Sequence, residues 1–162
     1  MGESNDGRKD FDFFFGRWRS RNFRLERRLA GSTVWREFDA DLECHPLLGG
    51  LGNVDTMDVA AFPTDGKPLH GTTLRVFNPA TRLWSLYWVD DRSFELQPPV
   101  VGRFENGVGL FFGDDTFDGR PIRVRFTWAD ITTASATWEQ AFSPDGEKTW
   151  EPNWRMTMAR VA

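Results

Sequence analysis

The sequence has a single cysteine, Cys44, a single tyrosine, Tyr87, and only two histidines, His45 and His70. One cysteine excludes an intrachain disulfide and suits a reducing compartment. No apolar run approaches the roughly 20 residues that cross a bilayer as a helix. The opening residues, Met1-Gly2-Glu3-Ser4-Asn5-Asp6, lack the basic and apolar regions of a secretory signal. Asp6 stands where a myristoylation pattern wants Ser or Thr. These absences point to a cytoplasmic protein without a membrane partner. No segment keeps a helical period over three turns. A net charge of -4 offers no general attraction to nucleic acid.

What is present is aromatic bulk: 8 Trp and 15 Phe. Such rings bury large areas and favour strands. They serve either as a filled core or as the wall of a pocket. The 162 residues fit one domain with a real core. Residues 1–10 are polar and read as a disordered tail, leaving 11–162 as the domain. Phe11-Asp12-Phe13-Phe14-Phe15 reads as a short helical turn that plugs one end. From Arg17 onward the text reads as strands bounded by Gly, Pro, Asn or Asp. They fall near 17–29, 34–45, 51–62, 69–78, 82–89, 92–97, 99–105, 108–113, 120–129, 133–143 and 149–160. This pattern predicts an all-β fold, a single antiparallel up-and-down barrel of about 10 strands.

The last three strands support a register. Pairing 120–129 with 133–143 so that Val124 faces Trp138 and Phe126 faces Ala136 sets Arg123 opposite Glu139. Pairing 133–143 with 149–160 so that Trp138 faces Trp154 and Ala136 faces Met156 sets Glu139 opposite Asn153. Large then meets small on one face and opposite charges meet on the other. The even residues become the interior: Val124, Phe126, Trp128, Trp138, Trp154, Met156 and Met158. Trp84, Leu86 and Trp88 alternate in the same way.

The first hairpin is less regular. Arg17, Arg19, Arg21, Arg24, Arg27 and Arg28 crowd one strand, and Glu37, Asp39, Asp41 and Glu43 crowd the next. Cross-strand ion pairs on an exposed wall account for them. Phe23 and Leu25 fall on the odd face while Trp18 is on the even one. Either a bulge near Ser20 flips the phase, or the wall carries apolar residues outside, as a homodimer interface would.

Motifs for chemistry are sparse. Cys44 and His45 are strand neighbours and point to opposite faces, so no zinc-ligand set forms and no metal or cofactor is predicted. A haem would need a barrel-facing histidine, for which His45 and His70 are the only candidates. No Gly-x-Ser-x-Gly is present, and Cys44 has no evident activating base. Leu48-Gly49-Gly50-Leu51-Gly52 precedes no helix that would bind phosphate. Turn chemistry explains Asp90-Asp91, Asp114-Asp115 and Asp118. Glu139 is mid-strand. If the register were off by one, Glu139 and Arg123 would face inward as the best catalytic pair.

Gly16-Arg17-Trp18 at the start of the first strand resembles the Gly-x-Trp motif of lipocalins and related calycins. Arg160 stands where that superfamily often packs a basic residue over the Trp ring. Gly16 permits a sharp turn into the strand, and a guanidinium on the Trp18 indole is a cation–π contact. The chain from Phe11 to Arg160 also resembles a bacterial family of calycin-like fold and unknown function. Four stretches carry this resemblance: Phe11-Asp12-Phe13-Phe14-Phe15-Gly16-Arg17-Trp18, Pro46-Leu47-Leu48-Gly49-Gly50-Leu51-Gly52, Pro98-Pro99-Val100-Val101-Gly102-Arg103-Phe104 and Trp138-Glu139-Gln140-Ala141-Phe142-Ser143. Ser143-Pro144-Asp145-Gly146-Glu147-Lys148-Thr149-Trp150 is similar to the Asp-box of sialidases, a structural hairpin turn, and departs from it at Glu147.

The leading expectation is a barrel that binds a small hydrophobic or aromatic molecule between Trp84, Trp88, Phe126, Trp138, Trp154 and Met156. Its mouth would lie opposite the Trp18 plug. The alternatives are an isomerase, cyclase or hydrolase on the same barrel, using Glu139, Arg123 or Tyr87, and a packed dimeric barrel without a ligand.

Overall fold

The computed structural model describes residues 5–162. Ten antiparallel strands close on themselves: β1 (Gly16–Leu25), β2 (Trp35–Leu47), β3 (Gly52–Val59), β4 (Leu69–Asn78), β5 (Leu83–Asp90), β6 (Val100–Glu105), β7 (Val108–Phe117), β8 (Arg120–Ala129), β9 (Ser135–Ser143) and β10 (Glu151–Arg160). Each pairs with the next in sequence, and β10 pairs with β1. The fold is therefore the all-β, up-and-down barrel that the strand pattern predicts. Two short 3-10 turns, Asp12–Phe14 and Leu48–Gly50, are the helical pieces among the described residues.

Closure of the sheet pairs every strand on both sides and leaves no edge. It also divides the loops between two ends, and the first 3-10 turn fills one of them. Phe11 and Phe14 are buried with Trp18, Trp84, Phe111 and Trp128. Phe11 meets Trp84 edge-on at 5.0 Å and Trp128 at 5.7 Å. Trp18 stacks on Phe14 at 5.5 Å and donates its indole N–H to the Phe14 carbonyl at 2.9 Å. The Arg160 guanidinium lies 4.4 Å from the Trp18 ring centre. It also donates to the carbonyls of Thr133 at 2.9 Å, Phe15 at 2.5 Å and Phe13. Gly16 sits at φ +105°, and a Cβ there would come within 2.9 Å of this guanidinium. Residues 1–4 of the expected tail lie outside the described residues. Residues 6–10 form turns against the barrel, and the Gly7 carbonyl accepts from the Trp84 indole at 3.0 Å.

The even residues of β8, β9 and β10 face inward as predicted, but the partners differ. Val124 pairs with Phe142 and Trp128 with Trp138, so Arg123 stands opposite Ser143, not Glu139. Met156 pairs with Trp138 and Met158 with Ala136. Both slips are an even number of residues, so every side chain keeps its face. A bulge between Pro152 and Trp154 turns Asn153 inward, where it is fully buried. Alternation cannot reveal such a bulge. The run 92–97 is a loop, because the Asp90 carboxylate takes the backbone N–H groups of Arg92 and Ser93 and turns the chain.

In β1 the register to both neighbours is unbroken, so no bulge lies near Ser20. Phe23 is half-buried on the outer face opposite Glu37 and Arg155. Arg19 and Arg21 pair with Asp39, Asp41 and Glu37 across the hairpin, at 2.5 to 3.8 Å. The interior stripe of β1 is polar below Trp18: Ser20, Asn22 and then Arg24.

The Asp-box resemblance describes a real turn at the end opposite the plug. Asp145 accepts from the Thr149 N–H at 2.9 Å, the Thr149 hydroxyl at 2.5 Å and the Ser143 hydroxyl at 2.9 Å. Glu147, where the box has Gly, is held at φ +70°. Trp150 packs outside the barrel, with Arg125 at 4.5 Å from its ring centre.

Two outcomes follow. Arg160→Ala removes three carbonyl contacts and a cation–π contact at once, and should lower unfolding free energy by about 2 kcal/mol in urea denaturation. The hydrogen bonds from Thr149 hold the Asp145 carboxyl at about 2, below its ordinary 3.8. Its stabilisation is therefore complete above pH 4 and is lost as pH falls through about 2. Asp145→Asn should show a shallower decline in denaturation midpoint between pH 4 and 2 than wild type.

Candidate functional site

The strands enclose a cavity of about 360 Å³ that opens at the end opposite the plug. Trp88, Phe126, Trp138, Trp154 and Met156, all expected in a pocket wall, line it together with Phe62, Phe117 and Phe142. Trp84 does not line it. That indole is 2% exposed among Phe11, Phe77 and the Gly7 carbonyl, so it belongs to the plugged end. Its alternation with Leu86 and Trp88 places it inside, but periodicity gives no depth along the axis.

The wall rings are held in place by their polar edges. The Trp154 indole donates to Asn22 Oδ1 at 2.9 Å, and Asn22 Nδ2 donates to Ser20 Oγ at 2.8 Å. Trp88 donates to Asp90 Oδ2 at 2.9 Å. Its ring lies over Gly71, where a Cβ would come within 2.0 Å of Cη2. Trp138 stands edge-on to Phe126 at 5.0 Å and to Trp154 at 6.0 Å. Rings fixed this way give up little freedom when a molecule packs against them.

The cavity floor is charged. Asp55 on β3 and Arg75 on β4 are both almost fully buried, with Nη2 2.5 Å from Oδ2. The contact is off the hydrogen-bond axis, so it is chiefly an ion pair. Arg75 Nη1 donates to Asn53 Oδ1 at 2.9 Å. Phe11, Phe14 and Trp128 surround the guanidinium at 5.1 to 5.6 Å. Burial raises the Asp55 carboxyl above its ordinary range against the opposing pull of Arg75. The sequence expectation omitted this pair. The odd residues Leu69, Thr73, Arg75 and Phe77 of β4 and Asn53, Asp55, Met57 and Val59 of β3 do alternate inward, so the signal was present. Cys44 lies beside Asn53, with its thiol pushed up to about 12 by burial, which leaves it a poor nucleophile.

The mouth is ringed by Arg24, Arg28 and Arg92. Arg24 and Arg28 are therefore not part of the exposed ionic wall with Arg19 and Arg21. Arg92 is engaged with Asp65 at 2.7 and 3.0 Å and with the carbonyls of Lys67 and Pro68.

Glu139 and Arg123 are not inside. Glu139 pairs with Arg155 at 2.9 Å and Arg125 at 3.8 Å on the outer wall, and Arg123 pairs with Asp114 at 3.1 Å. Tyr87 does not line the cavity. His45 lies outside at 3.4 Å from Glu43, and His70 lies outside at 2.6 Å from Asp58. Neither can reach a molecule in the barrel, so the haem-ligand geometry is not met. A second, open hollow at the plugged end is walled by polar groups, including Asp6, Asp10, Arg82 and Arg103.

No protein-family model and no curated protein matches the sequence. Among solved structures, the S-type phycobiliprotein lyase CPES from Guillardia theta is similar, with a TM-score of 0.64 and 11% sequence identity. The likeness covers 100% of this chain and 98% of that one. It is one of fold alone, a closed antiparallel β-barrel in this chain. No helix among the described residues is long and apolar enough to cross a membrane.

Removing one member of a buried ion pair strands the other charge. Arg75→Met should cost about 3–5 kcal/mol in urea denaturation, and Asp55→Leu a similar amount. The Asp55→Leu/Arg75→Met double variant should cost less than either single change.

Proposed function

We propose that this barrel binds one small aromatic or apolar molecule in its interior. The observation that carries the reading is the cavity of about 360 Å³, walled by Trp88, Phe126, Trp138, Trp154 and Met156 and open at a single end. That volume lies in the range of small-molecule sites, which are mostly apolar with a few placed polar groups. A fully packed barrel would leave no such space. Loop residues Phe94 and Leu96, beyond β5, are 81% and 59% exposed and offer an apolar rim near the mouth. The similar fold of a phycobiliprotein lyase is compatible with a ligand-handling barrel. Catalysis by Glu139 and Arg123 has no support from their outward positions. Among the described residues, the one fully buried carboxylate in the cavity lining is Asp55, and Arg75 pairs with it.

N-phenyl-1-naphthylamine, a neutral aromatic dye, should gain fluorescence with saturation near one equivalent while quenching protein tryptophan emission. Val124→Phe places a ring in the cavity and should weaken binding by about tenfold or more. The reading fails if neither this dye nor a panel of aromatic, terpenoid and lipid molecules alters the tryptophan emission.

A further inference from the structure

Two guanidinium groups of the cavity, Arg24 and Arg28, have no ion-pair partner among the described residues. The Arg24 guanidinium lies 5.1 Å from the Phe62 ring centre and 5.7 Å from that of Trp154. Arg28 lies 4.8 Å from Phe117 and 5.4 Å from Phe142. Among the described residues, neither side chain has a hydrogen bond or an ion pair, and Arg24 Nε is buried without a partner. Every other arginine at the cavity has an anion: Arg92 has Asp65, and Arg75 has Asp55. Burial, together with the like charges of Arg28 and Arg92, lowers Arg24 to about 10. Burial lowers Arg28 as well, against the pull of Asp118 and Glu151.

Among the described residues, no carboxylate around the mouth forms an ion pair or hydrogen bond with Arg24 or Arg28; Asp118 and Glu151 act on Arg28 through space alone, and Glu151 takes the Leu29 N–H at 2.7 Å. Asp90 accepts from Trp88, Arg92 and Ser93, and Asp114 pairs with Arg123. Asp115 takes the Thr116 N–H. A half-buried guanidinium stacked on rings keeps its planar fork of N–H donors free at its edge, a geometry that matches a carboxylate. Holding such a group desolvated and uncompensated is costly, and a bound anion offsets that cost.

Resting on the ligand-binding reading above, we infer that the natural ligand is an acid. Its aromatic or apolar body lies between Trp88, Phe126, Trp138 and Trp154, and its carboxylate is held at the mouth by Arg24 with Arg28 beside it. The floor cannot take that carboxylate, because Asp55 already balances Arg75 there.

The test compares 1-naphthylacetate with 1-naphthylacetamide, which have nearly the same shape and differ in charge. Each displaces N-phenyl-1-naphthylamine from wild type, Arg24→Gln and Arg28→Gln, with folding checked by circular dichroism. On wild type the acid should bind about tenfold more tightly than the amide, and this advantage should shrink as salt rises. Arg24→Gln should bring the two ligands within about twofold by weakening only the acid, and Arg28→Gln should do so in part. Equal affinities on wild type overturn the acid assignment while leaving the binding reading intact, and that comparison needs no variant. An acid advantage that survives in both folded variants overturns the role of Arg24 and Arg28. If neither the dye nor either naphthyl compound binds, both inferences fail.

Discussion

Everything inside this barrel depends on how its plugged end is closed. Ten strands joined edge to edge make a tube, and a tube open at both ends would flood its apolar lining. The Phe11–Phe14 turn fills one end, Trp18 lies beneath it, and Arg160 ties the last strand to the carbonyls of Phe13 and Phe15. The first and last strands are thereby joined to the same plug. Depth along the axis then sets what an inward side chain can do. Trp84 and Trp88 share a strand and a face, yet one is core and the other is wall.

Charge follows the same division by depth. On the outer wall, Arg19 and Arg21 meet Asp39, Asp41 and Glu37 in water, where each pair contributes little. At the floor, Arg75 is acceptable only because Asp55 and Asn53 receive it and three rings surround it. At the mouth, Arg24 and Arg28 have rings for neighbours and, among the described residues, no ion-pair partner. One residue type thus occupies three environments, and composition alone does not separate them.

The fold was legible in the chain because a closed barrel repeats one simple signal, period-two alternation between turn residues. The faces of β8, β9 and β10 were readable for the same reason. Their partners were not, since a slip of two or four residues leaves every apolar residue inside. The wall aromatics could be named from sequence. The polar interior was harder to see, because Arg24 continues a row of arginines whose other members face water. Only strict alternation after Trp18, through Ser20 and Asn22, marks Arg24 as inward. The Asn153 bulge left no trace in the pattern, and the run 92–97 has strand-like residues that the turn at Asp90 overrides.

Trp88 is tied to more than the wall. Its indole donates to Asp90, the same carboxylate that turns the chain through Arg92 and Ser93, and its backbone carbonyl takes the Gln97 N–H at 2.7 Å. The ring also rests on Gly71 of the neighbouring strand, with no room to sink further. Wall and rim are thus joined through one side chain. The ring that faces the cavity and the loop that carries Phe94 and Leu96 therefore share one anchor, and a change at Trp88 alters wall and rim together.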